Sequence, residues 1–362
     1  MKNTILLILG VFLFYSCEKS NDENTMDHLG DICNSETKIS PPSGFEVNPI
    51  GGINCTRAVH SFQFLDEKNG YVMTGLGGGN VGLFKSINGG KSWSALPIGI
   101  NRHPVSMIFK DVNFGMITVH DITGCPPPNC QNRCFVLITK NGGLNWKEVE
   151  YKELKGVLYH PKYDSNGNLY ASLSLEEQTT LMKSTDDGES WEVFYSSPEL
   201  GFSLVTYSFE IFQDKIYMSG RNGEIFIIDS YGQLIHTLET GSLFIWDVEI
   251  IDENNLIVVV SGRVIKTKDG GNTWEEIYEE SARMIGFESP DKGLMMLFKS
   301  AVPTDVYEVE DVIASTVDGG LLWNEADKTT TNMRSYFKNR QRMGEGWWYL
   351  MIGNKLFEIK EN

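Results

Sequence analysis

The stretch VIKTKDGGNTWEEIY (264–278) decides the fold of this chain. An apolar β-type run leads into a polar turn, and a tryptophan opens a second β-type run. The turn recurs. SINGGKSW (86–93), TKNGGLNW (139–146), STDDGESW (184–191), TKDGGNTW (267–274) and TVDGGLLW (316–323) share the pattern S/T-x-D/N-x-G-x-x-W. Internal repetition with a period near 50 residues marks a repeat architecture in which each unit covers the apolar face of the next.

The residue types explain the turn. Asn88, Asn141, Asp186, Asp269 and Asp318 are expected to accept hydrogen bonds from backbone N–H groups two or three residues on, folding the chain into an Asx-type turn. Gly90, Gly143, Gly188, Gly271 and Gly320 are expected at positive φ, which a Cβ resists. Trp93, Trp146, Trp191, Trp274 and Trp323 open the returning strand and offer a large apolar face to pack between sheets. The carboxylates of these turns are therefore structural, with no role in catalysis or metal binding.

The pattern resembles the Asp-box (BNR) repeat of sialidases, sortilin-type receptors and some glucanases. A second element lies upstream of the boxes, in FLDEKNGYVM (64–73), FKDVNFGMIT (109–118) and FESPDKGLMM (287–296). It resembles the repeats of photosystem II assembly-factor-like propellers. The resemblance covers most of residues 45–360 and implies an all-β, β-propeller fold with the boxes between the third and fourth strands of each blade. Fold alone does not carry function.

The tryptophan spacing counts the blades. Gaps of 45 to 53 residues separate most boxes, but Trp191 and Trp274 are 83 apart, two repeats. A degenerate blade is expected between them, with EIFIIDSYGQLIHTL (224–238) as its hairpin and Asp229 and Gly232 as box remnants. The tail 346–362 has strands but no box, and GFEVNPI (44–50) is available to complete it. The reading is seven four-stranded blades, with six as the alternative, closed by strand sharing between the N- and C-termini so that no edge stays open.

The N-terminus reads as an export signal. Residues 1–16 carry one lysine and an apolar core too short for a bilayer-spanning helix, which needs ~20 residues. Cys17 follows directly, and LFYSC resembles a bacterial lipobox, which implies cleavage and acylation at Cys17. Residues 17–43 form a polar tether and 44–362 the propeller domain. The expected location is the cell envelope, lipid-anchored in the outer membrane, facing the periplasm or the surface. The net charge of −17 opposes nucleic acid and anionic lipid, leaving the anchor as the membrane contact. Cys33, Cys55, Cys125, Cys130 and Cys134 remain as disulfide candidates in a permissive compartment, with connectivity open. Disulfide stapling of the loop CPPPNCQNRC (125–134) is preferred to zinc, because paired C-x2-C knuckles are missing.

In such a frame the face opposite the boxes carries the 2–3 loops and the crossings between blades. It gathers Arg57, His60, Arg102, His103, Tyr159, His160, Tyr207, Trp246, Asp247, Arg283, Arg334 and Tyr336. Aromatic and arginine side chains on one face suit a protein hot spot or sugar stacking. The Arg-Ile-Pro motif of sialidases is absent, and no HExxH or phosphate-cradling loop occurs. The leading reading is a non-catalytic binding or assembly module for a protein client, without metal or cofactor. The alternative is capture or cleavage of a cell-surface carbohydrate.

Overall fold

The computed structural model describes residues 41, 45–53, 59–75, 81–99, 103–120, 133–175, 178–197, 209–242, 244–279, 282–300, 309–326, 329–331, 340–352 and 355–361. The chain divides into two compact units, Met1–Ser35 and Glu36–Asn362, and the described residues all fall in the second. The signal region and tether lie outside them.

The described strands form seven antiparallel sheets of the β-propeller. Blade 1 comprises Val59–Phe64, Gly70–Thr74, Gly82–Ser86 and Ser94–Leu96. Blade 2 comprises His103–Phe109, Gly115–His120, Arg133–Thr139 and Lys147–Lys155. Blade 3 comprises Val157–Tyr163, Leu169–Leu175, Gln178–Ser184 and Glu192–Ser196. Blade 4 is the degenerate repeat, Phe209–Phe212, Lys215–Ser219, Glu224–Ile228 and Leu234–Glu239. Blade 5 comprises Ile245–Ile250, Leu256–Val260, Arg263–Thr267 and Glu275–Tyr278. Blade 6 comprises Ala282–Phe287, Gly293–Ser300, Val309–Thr316 and Asn324–Glu325, with Thr329–Thr331 added to its third strand.

Blade 7 is shared between the ends of the chain. Arg340–Gly344, Trp347–Ile352 and Lys355–Glu361 are joined on the outside by Phe45–Gly52, in the order expected. Phe45 pairs with Glu361 and Gly52 with Lys355. First strands of neighbouring blades touch, which places them at the axis.

The five turns repeat one hydrogen-bond scheme, and it differs from the expected one. The hub is the leading hydroxyl. Thr267 Oγ1 accepts the N–H of Asp269 (3.2 Å) and of Gly271 (2.8 Å) and donates to Asp269 Oδ1 (2.8 Å). Asp269 Oδ1 then accepts the N–H of Thr273 (2.9 Å), four residues on rather than two or three. Ser86, Thr139, Ser184 and Thr316 do the same, with Asn88, Asn141, Asp186 and Asp318 reaching four residues on. The longer reach follows from φ. The glycine pairs 89–90, 142–143, 270–271 and 319–320 are left-handed, as are Asp187 and Gly188, so the turn holds one residue more than an Asx turn.

Each turn also docks on the preceding blade. Trp146 packs with Tyr71, Leu83 and Leu96 of blade 1, Trp191 with blade 2, Trp274 with blade 4 and Trp323 with blade 5. The turn glycines close the same seams: a Cβ on Gly143 would lie 2.7 Å from Leu96 and one on Gly271 2.8 Å from Leu238. Blade 4 lacks the tryptophan and the leading hydroxyl, and there Asp229 Oδ1 itself accepts the N–H groups of Tyr231, two residues on, and Gln233, four residues on.

Candidate functional site

Strand direction divides the propeller into two faces. The first-to-second strand turns lie beside the third-to-fourth strand turns, since Gly89, Gly142, Gly270 and Gly319 donate to the carbonyls of Lys68, Asn113, Asn254 and Asp291. The inner strands therefore begin, and the second-to-third loops emerge, on the other face.

Near that beginning the inner strands carry an extra residue. The register shifts between Val59 and Ser61, Pro104 and Ser106, Ile245 and Asp247, and Ala282 and Met284. His60, Val105, Trp246 and Arg283 are thus equivalent bulge residues, and a bulge re-aims its side chain. In blade 3 the shift falls between Tyr159 and Lys162, and His160 sits there at φ 52°.

These positions have different fates. His60 is buried, and its Nε2 bonds the carbonyl of Val105 on the next blade. Burial pushes its pKa down, partly offset by that bond. Tyr159 is also buried, with burial raising its hydroxyl to about 12. The backbone N–H of His160 donates to Ser106 Oγ at 3.2 Å. Trp246 is half-buried, and the exposed Arg283 lays its guanidinium over the indole 3.9 Å from the ring centroid. Phe244, two residues before Trp246, is 58% exposed. Its carbonyl accepts the N–H of Ser261, which pins it against the second-to-third strand turn of blade 5.

Lower in the channel, polar side chains clasp blade to blade. Gln63 bonds both N–H (2.7 Å) and carbonyl (2.9 Å) of Phe109, and Gln341 does the same to Phe64 (2.6 Å each). Lys162 Nζ donates to the Phe209 carbonyl and pairs with Glu210 at 2.6 Å. Asp247 is fully buried. Its carboxylate accepts the N–H groups of Val248 and Ile285, both at 3.0 Å, and Arg340 of blade 7 at 3.1 Å. Arg340 also holds Glu249 at 2.8 Å. It reaches blade 5 by crossing blade 6 at Gly286, where a Cβ would stand 3.4 Å from its Nε. Burial disfavours its charge, but Asp247 and Glu249 more than compensate and raise its pKa. The carboxylates of the fifth inner strand thus form the far end of a blade-to-blade ion pair.

Among the expected face residues, His60, Tyr159 and Asp247 are core groups. His103 faces His120 in register at the mouth of blade 2. Arg57, Arg102, Tyr207, Arg334 and Tyr336 lie outside the described residues, as do Cys17, Cys33, Cys55, Cys125 and Cys130. Cys134, the one disulfide candidate among the described residues, is a free, fully buried thiol between blades 2 and 3, and burial raises its pKa to about 12. Sequence reading missed Phe244 and Arg340. The first was signalled only by its place beside Trp246, the second only by a glycine at position 286.

No protein-family model and no curated protein matches the chain. Solved structures do. A structure described as YCF48 bound to D1 peptide matches 90% of this chain and 100% of its own, at TM-score 0.57 and 16% identity. A GH74 xyloglucanase from Xanthomonas campestris matches 86% of this chain and 53% of its own, at TM-score 0.56 and 12% identity. A PL25 ulvan lyase matches 90% and 95%, at TM-score 0.52 and 11% identity. At these identities the likeness is one of fold.

Proposed function

We propose that this protein is a non-catalytic binding module of the cell envelope, a propeller of the Asp-box type anchored by a lipid on Cys17. It captures a protein client on the face that carries Phe244, Trp246 and Arg283. The observation that carries this reading is the exposed Phe244 beside the Trp246–Arg283 stack. An arginine stacked on an indole at two neighbouring strand bulges, with an exposed phenylalanine two residues before the indole, is the composition of a protein hot spot. The channel points the same way, because Asp247 and Glu249 are held by Arg340 and Lys162 is engaged by Glu210. Such charges stabilise blade contacts and are not poised as an acid and base pair. A propeller of similar fold, YCF48, is described with a bound peptide, which supports a polypeptide ligand.

Carbohydrate capture is the second reading. It rests on the same half-exposed indole and on the two carbohydrate-active propellers of similar fold. Affinity purification from native envelopes, beside a glycan array, separates the two. The expected result is a protein partner retained by the wild type and lost with Phe244→Ser and Arg283→Glu. Retention by both variants, or glycan binding with no protein partner, would overturn the protein-client reading.

A further inference from the structure

The turn side of the propeller bears its own apolar surface. The blade 6 turn, TVDGGLLW, presents Val317 at 58%, Leu321 at 74% and Leu322 at 71% exposure. At the equivalent positions the blade 3 and blade 5 turns carry Thr185, Glu189 and Ser190, and Lys268, Asn272 and Thr273. Thr316 and Asp318 lock the blade 6 turn, so these side chains are presented to solvent on a rigid tip. On blade 1, Ile87 is 70% exposed at the same place in its turn.

Blades 6 and 1 flank blade 7, and the chain enters through blade 7. Its outer strand begins at Phe45, paired with Glu361. Glu361 lies on the turn side: its N–H donates to Gly346 in the first turn of blade 7, and Lys292 in the first turn of blade 6 pairs with its carboxylate at 2.5 Å. Residue 45 therefore enters from the face that carries the apolar tips, between two of them. Cys17 precedes it by 28 residues.

We infer that the turn face rests on the bilayer, with Leu321, Leu322, Val317 and Ile87 inserted among phospholipid headgroups. This rests on the reading of Cys17 as lipidated. The occupant is a zwitterionic surface, since a net charge of −17 opposes an anionic one. Apolar side chains on a tip insert by the area they remove from water. In this orientation the Trp246 face is turned outward, towards clients.

The test is hydrogen exchange read by mass spectrometry on the full mature chain, with and without phosphatidylcholine vesicles. Exchange across 314–323 and 86–93 is expected to slow on vesicles. The segment 258–264 on the other face is expected to stay unchanged. In the double variant Leu321→Glu with Leu322→Glu, the chain is expected to float with vesicles while losing that protection. Three outcomes overturn the inference, and each has a different cause. If the chain does not partition into vesicles, the anchor reading fails and takes this inference with it. If it partitions and 314–323 stays unprotected, the anchor stands and the orientation fails. If protection appears without vesicles and grows with protein concentration, the occupant is a second copy of the chain.

Discussion

Thr139→Val tests where the strength of the repeated turn resides. Valine matches threonine in volume, so the fully buried site keeps its packing and loses its hydrogen bonds. Thr139 Oγ1 accepts the N–H of Gly143 at 2.9 Å and of Asn141 at 3.3 Å, and donates to Asn141 Oδ1 at 3.0 Å. The Gly143 N–H is buried, and stripping a buried donor costs about 1–3 kcal/mol. The longer bond to Asn141 N–H and the bond to its amide add about 0.5–1.5 kcal/mol each. The expected loss is about 3–4 kcal/mol. With ~2 cal/mol/K of unfolding entropy per residue over some 300 residues, this lowers the melting midpoint by roughly 5 °C. Asn141→Ala removes one acceptor, which serves the Thr139 hydroxyl and the N–H of Asn145, the latter on the exposed side of the turn, where water substitutes. Its cost is about 1 kcal/mol, like the loss of an exposed cap. Urea titration followed by tryptophan fluorescence reads both variants, since Trp146 packs edge-on against Phe109 at 6.2 Å. Thr139→Ser should restore most of the loss. An Asn141→Ala variant less stable than Thr139→Val would refute the hydroxyl-hub reasoning.

Arg340→Met should be among the most damaging channel substitutions, about 3–5 kcal/mol, because it strands the buried Asp247 carboxylate. Adding Asp247→Asn to it should recover part of that loss in the same denaturation assay. His60 is held neutral by burial, so the native state binds fewer protons than the unfolded chain. Stability should therefore fall as pH drops below the unfolded histidine value of about 6.5, and His60→Gln should flatten that limb of a melting profile between pH 7 and 5. The bonds from the Thr273 hydroxyl and N–H hold the Asp269 carboxyl below its ordinary value. Its contribution is present above about pH 3.9 and lost as pH falls through the lower native value, so Asp269→Asn should blunt acid unfolding in that range.

The fold was legible because its punctuation repeats. Five turns and a doubled gap were enough to place seven blades and the shared seventh, since each of the five turns has a left-handed glycine and a tryptophan that packs at its seam. The hydrogen-bond pattern inside the turn was only half legible. The serine or threonine reads like any polar residue at a strand end, yet its oxygen serves two N–H groups. The burial of Cys134 was hidden for a related reason. It sits in Arg133–Thr139, where six successive residues are buried, because both faces of that blade are covered by neighbours. Alternation then carries no signal of which way a residue points. The candidate face was the least legible. A bulge shifts register by one residue, which the alternation along a strand does not reveal, and equivalent bulge residues then differ in burial: His60 enters the core and Trp246 stays half-exposed.

The joints of the ring explain why the shared blade closes it securely. Each turn docks backwards on the preceding blade through its tryptophan and glycine. Several inner strands clasp forwards on the following blade, through Gln63 and Lys162 in blades 1 and 3. At the seam both devices are present. Trp93 packs with Tyr349, Met351 and Leu356 of blade 7, and a Cβ on Gly90 would lie 2.3 Å from Leu356. Gln341 of blade 7 clasps Phe64 of blade 1 with two bonds of 2.6 Å. The N-terminal strand adds a third tie, because Gly51 approaches the Gly90 carbonyl so closely that a Cβ would stand 2.5 Å from it. The joint between the first and last blades therefore uses the same kinds of contact as the internal joints, and its backbone approach has a counterpart at blade 4, where a Cβ on Gly232 would stand 2.4 Å from the Phe194 carbonyl of blade 3. The ring is closed at this seam by three kinds of tie. Differences among its blades are free to appear at the tips and bulges, which are the places where the two faces diverge.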